Sequence, residues 1–146
     1  MNHLLDVYRE LHNCGVFFFE RKLAFSNGQT AASTIECDGA YGIFVDTSRI
    51  NTKAEEAVAV AHEAGHCMTG STHKLCSPYD LIERHENDAN RWACRKLIPV
   101  DELDEAVASG ITELWELAEH FNVTEDFMKK AVCLHTYGNL AVDCYF

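Results

Sequence analysis

The run Thr52-Lys53-Ala54-Glu55-Glu56-Ala57-Val58-Ala59-Val60-Ala61-His62-Glu63-Ala64-Gly65-His66-Cys67-Met68-Thr69-Gly70 decides how the chain is read. Thr52 followed three residues later by Glu55 is a capping box and predicts a helix start. The alanine, glutamate and valine that follow sustain the helix to about Met68, and Gly70-Ser71 ends it. His62 and His66 stand four apart, so on this helix both imidazoles leave from one face, one turn apart. Two neutral imidazoles so placed can share one metal ion, and neutral imidazole is a good zinc ligand. Glu63 lies about 100° around the helix from His62. It can take a proton from water activated by zinc and pass it to a leaving amine, the logic of an H-E-x-x-H peptidase. Gly65 costs about 1 kcal/mol relative to alanine inside a helix; a packing or close-approach reason would explain its presence, and so would chance.

A zinc peptidase needs a third protein ligand and one open position. The metzincin spacing asks for glycine at 69 and histidine at 72. Both places hold threonine, and Gly70 and His73 each miss by one residue. The alternative is a carboxylate from the following helix, where Glu83, Glu86 and Asp88 are available. Glu86 shares a helical face with Ala89, Asn90 and Ala93, whose small side chains would let that helix pack closely on the first. Asn90 could then accept a hydrogen bond from a ligand histidine.

Outward from this pair the chain reads as α+β. Ser77-Pro78 marks a helix start, and Pro99 ends that helix near Ile98. Asp101, Thr112 and Thr124 are expected caps of three further helices, ending at Gly110, Phe121 and about His135. Upstream, Leu4, Leu5, Tyr8 and Leu11 recur at helical spacing. Val16–Phe19 is strand-like, and Asn27-Gly28 and Asp38-Gly39 are tight-turn dipeptides. Ala31–Cys37 and Tyr41–Val45 flank the second turn as a hairpin. Residues 16–46 are therefore expected to form a small antiparallel sheet packed on a mostly helical, zincin-like domain. Tyr41–Val45 is the expected edge strand for a substrate laid down as an extra strand.

The 146 residues, 47% apolar and 24% charged, suit one globular domain spanning 1–146. Acids outnumber bases 23 to 12, for a net charge of −11. That balance argues against nucleic acid or anionic membrane as the main partner. The seven cysteines include no C-x-x-C pair and fit thiols in a reducing compartment, so a cytosolic location is expected. Leu117–Thr124 resembles the turn of a helix-turn-helix. Between Val100 and Met128, however, the chain carries acids and no lysine or arginine, so a packed helix pair is the expected reading.

Two segments in order, His62-Glu63-Ala64-Gly65-His66 and Glu86-Asn87-Asp88-Ala89-Asn90-Arg91-Trp92-Ala93 followed by Leu97-Ile98-Pro99, resemble the ImmA/IrrE metallopeptidases. Those pair an H-E-x-G-H helix with a later E-x-x-A-N-x-F-A helix. The resemblance spans about residues 41–135. It implies that His62, His66 and Glu86 are the zinc ligands and Glu63 the catalytic residue, with Asp88 a rival third ligand. Ala64 and Trp92 depart from the family's usual leucine and phenylalanine, which bears on packing and substrate shape. The resemblance further implies a metallo-endopeptidase acting on a transcriptional repressor or another regulatory protein of a mobile element or stress response. At this length such a substrate is expected to be a separate chain. Two other classes remain: a non-catalytic zinc protein, its site closed by His73, Cys67 or Cys76, and a DNA-binding regulator.

Overall fold

The computed structural model describes residues 3–20, 31–70 and 79–145. The Asn27-Gly28 turn, His73, Cys76 and the Ser77-Pro78 helix start lie outside them. The elements in order are α1 (Leu4–Asn13), β1 (Phe17–Glu20), β2 (Ala32–Cys37), β3 (Ala40–Val45), α2 (Lys53–Thr69), α3 (Tyr79–Leu97), α4 (Val100–Ala108), α5 (Leu114–Phe121), α6 (Glu125–Tyr137) and α7 (Val142–Tyr145). The fold is α+β, with the sheet near the N-terminus and helices beyond it.

The sheet is mixed, which corrects the antiparallel expectation. Its order is β1-β3-β2. β2 and β3 form the expected hairpin, paired antiparallel from Cys37 opposite Ala40 to Ala32 opposite Val45. β1 instead joins the far side of β3 and runs parallel to it, Phe17 opposite Gly42 through Glu20 opposite Val45. A tight turn dictates antiparallel pairing only between the two strands that it joins. β1 runs opposite to β2, and with β3 lying between them it must be parallel to β3. The Tyr41–Val45 segment therefore occupies the centre of the sheet, and its backbone edges are taken on both sides. The strand at the open edge on the α2 side is β2.

Alternation along the strands directs Ala32, Ile43 and Val45 inward, where they are buried with α1 and α2. α1 contributes Leu4, Val7 and Leu11. Tyr8, on the same helix, packs edge-on against Phe18 and donates a hydrogen bond to Glu56 on α2.

Helix α2 begins as expected. Thr52 Oγ1 accepts from Glu55 N at 3.1 Å, and the Glu55 carboxylate accepts from Asn51 N at 2.8 Å. The box thus reaches one residue further back than the standard reciprocal pair. Gly70 closes the helix in the left-handed conformation, φ 64°. Two expected caps are displaced. α4 starts at Val100 behind Pro99, and α5 starts at Leu114 behind Glu113, so Asp101 and Thr112 do not cap. Proline supplies the fixed φ that opens a helix and lacks only an N–H that would be unpaired there.

Helices α5 and α6 pack as a pair around Leu117, Ala118, Phe121, Phe127, Met128 and Ala131. Asn122 turns the chain between them at φ 55°. Phe121 is buried to 2% exposure. Phe121→Ala is expected to lower unfolding free energy by about 3–5 kcal/mol, through lost burial and a residual cavity. Urea titration of the variant measures it. No helix among the described residues is long and apolar enough to cross a membrane.

Candidate metal centre

Helix α2 carries His62 and His66 on the face turned toward α3, and α3 carries Glu86 and Asn90 on the face turned back. The two helices touch at one point of unusual closeness. A Cβ built on Gly65 would lie 2.4 Å from the Ala89 carbonyl oxygen and 2.8 Å from its Cα. Glycine is required there because the obstacle is main chain, which cannot turn aside as a side chain can. That contact accounts for the helix-weakening residue, and it draws the opposing donors together.

The converging atoms are the Nε2 atoms of His62 and His66 and the two carboxylate oxygens of Glu86. His62 Nε2 lies 2.8 Å from Glu86 Oε2, and His66 Nε2 lies 3.2 Å from Glu86 Oε1. The two Nε2 atoms are 3.2 Å apart, and the rings meet nearly at right angles, 88°. These residues form the one group of three metal-ligating side chains among the described residues. Hydrogen bonds from His62 and then His66 hold the Glu86 carboxyl well below the usual carboxylate range, outweighing the opposing effect of burial. It is therefore ionised wherever imidazole can be neutral.

Asn90 fixes one proton of His62. His62 Nδ1 lies 2.8 Å from Asn90 Oδ1 and donates to it. With one proton on Nδ1, the Nε2 of His62 faces the carboxylate at hydrogen-bond distance and carries either a second proton or a lone pair for a metal ion. In the second case lone pair and carboxylate both need something electropositive between them. A cation satisfies both, and zinc bonded at about 2.0–2.1 Å to tetrahedral ligands would hold donors about 3.3 Å apart, close to the spacing present. The residues fit a metal ion.

The rival donors stand elsewhere. Asp88, two residues beyond Glu86, points away around α3 and lies 3.9 Å from Arg91. Cys67 follows His66 but is not among the convergent donors. Burial, and next the Glu63 charge, push its thiol up to about 12, so it is a neutral core thiol at ordinary pH.

Glu63 is buried at 9% exposure beside this cluster, on the side of α2 that faces the sheet. Its carboxylate accepts from the Thr34 hydroxyl of β2. No spacing rule points to Thr34. It lies 29 residues upstream of Glu63, in a strand, and only the packing of β2 on α2 brings the two together.

A histidine pair on one helix, an intervening glutamate and a carboxylate from a neighbouring helix are the constellation of an H-E-x-x-H metallopeptidase. The sequence matches the IrrE N-terminal-like domain, a metallopeptidase-type family, over residues 13–132, and the chain belongs to that family. No curated protein and no solved structure matches it.

Proposed function

We propose that the chain is a zinc-dependent endopeptidase that cleaves a regulatory protein, with a transcriptional repressor supplied as a separate chain the favoured substrate. His62, His66 and Glu86 would hold the ion, and Glu63 would act on the water. The observation that carries this reading is the convergence of the ligand atoms of His62, His66 and Glu86 within 4.8 Å of one another. Zinc, when bound, would supply Lewis acidity, polarising a peptide carbonyl and making water acidic enough to lose a proton near neutral pH.

The chain's own groups would do the rest. Glu63 takes the proton from the attacking water and returns it to the departing amine. Asn90 keeps the His62 proton on Nδ1, so that Nε2 stays free. The outer edge of β2 bears no strand among the described residues. An extended substrate segment would pair there, beside α2.

The acidic α4–α6 region supports a protein partner over nucleic acid. Glu125 and Asp126, in the first turn of α6, stand where a recognition helix would meet phosphates. Cys14, Cys37, Cys67 and Cys94 are thiols rather than disulfides, which supports a reducing cytosol.

The test is incubation of the zinc-loaded protein with the product of the neighbouring regulator gene and with a mixed-sequence, fluorescence-quenched peptide library, each with and without a chelator. Cleavage that stops with chelator and returns with zinc is the expected result. Cleavage indifferent to chelator, or none of either probe, overturns the proposal. Asn90→Ala is expected to weaken zinc binding about 10–100-fold by freeing the His62 ring, while Asn90→Asp, which keeps an acceptor, loses much less. Competition with a chromophoric chelator reads both.

A further inference from the structure

We propose that Thr34 is a positioning residue for Glu63, fixing one oxygen of its carboxylate so that the other is the atom that takes the proton from water; this rests on the peptidase reading above. Thr34 sits on the inward-facing side of β2, paired with Ile43 of β3, where valine would pack equally well. Thr34 is half-buried, and its hydroxyl, which also lies within hydrogen-bond reach of the Cys67 thiol, donates to the carboxylate Oε2 of Glu63. The main-chain carbonyl oxygen of the same residue lies 3.3 Å from the same hydroxyl.

Glu63 has three side-chain torsions, and α2 itself offers its carboxylate no donor, because the helix N–H groups are spent on the turn before. The Thr34 hydroxyl is the only hydrogen bond to that carboxylate among the described residues, and Oε1 has none. One anchored oxygen and one unanchored oxygen make the two inequivalent. The anchor is stiff, because β2 is laddered to β3 along its whole length, from Ala32 to Cys37. A base held this way does not have to be ordered when substrate arrives. Once the carboxyl holds the proton, the Glu63 carbonyl gives the Thr34 hydroxyl a second acceptor, so the hydroxyl keeps a partner in both halves of the cycle.

Thr34→Val removes the donor and keeps the shape. On the quenched peptide library it should lower kcat about 10–100-fold, leaving KM, zinc affinity and thermal unfolding close to wild type. Thr34→Ser restores the donor without the methyl and should recover most of the rate. A Thr34→Val protein that turns over like wild type overturns the proposal. So does a Thr34→Ser protein as slow as Thr34→Val, because the methyl would then carry the effect. A fall in zinc affinity matching the fall in rate would show that Thr34 supports the metal centre rather than the base, and also overturns it. If the wild-type protein has no chelator-sensitive cleavage, the peptidase reading fails first and the role of Thr34 falls with it. That failure is visible before any variant is made.

Discussion

Glu63→Gln binds zinc as tightly as wild type and cleaves at least about 10²–10⁴-fold more slowly, the range that removal of a positioned general base gives, or about 3–5 kcal/mol of transition-state stabilisation. The two halves of this expectation have separate origins. Zinc is retained because Glu63 is not one of the three convergent donors; it sits behind them, toward the sheet. The fold is retained because an amide oxygen still accepts from the Thr34 hydroxyl. Only the capacity to take and return a proton is removed. Metal content and kcat measured on one preparation decide the matter. A zinc-loaded variant within a few-fold of wild type would end the assignment of Glu63 as base.

Gly65→Ala is expected to be the most damaging single methyl group in the molecule. Helix propensity alone would favour alanine by about 1 kcal/mol. The new Cβ, however, would meet the Ala89 carbonyl oxygen at 2.4 Å, and main chain can yield only by moving α3 as a body. Overpacking of this kind costs about 1–3 kcal/mol beyond any propensity gain, roughly a 2–12 °C loss in Tm for a chain of this size. The displacement acts directly on the metal site, because Glu86 and Asn90 flank Ala89. Zinc affinity should fall together with Tm, whereas Phe121→Ala should lower stability and leave zinc affinity of the folded protein intact. Calorimetry with a zinc titration separates the two. A Gly65→Ala protein with wild-type Tm and zinc affinity would show that the helices can part freely.

The parts legible in sequence are those whose cause is local. The Thr52 cap, the alanine-rich run and Gly70 delimit α2 because each acts within one turn. The His62–His66 pair is legible because helical geometry makes a separation of four residues a spatial statement. Glu86 is harder. It is one acid among several until the small residues Ala89 and Ala93 and the adjoining Asn90 are taken together as a face meant for close approach. The misreadings have separate causes. The direction of β1 depends on which side of β3 it joins, a choice made by tertiary packing. The caps at Pro99 and Glu113 were masked by better-looking cap residues, Asp101 and Thr112, standing close by. Thr34 has no signature at all, because a hydroxyl in a strand announces nothing about a helix 29 residues later. Gly65 was compatible with a close contact, and its partner, the Ala89 main chain, came only with the packing of α3 on α2.

The Gly65–Ala89 touching point and the jaws that it sets, His62 and His66 against Glu86, all fall within about one helical turn. A pivot with so short a lever arm magnifies nothing. The helices distant from this point are thereby free to diverge or to be refitted to another partner, whereas β2, which holds Glu63 through Thr34, is not.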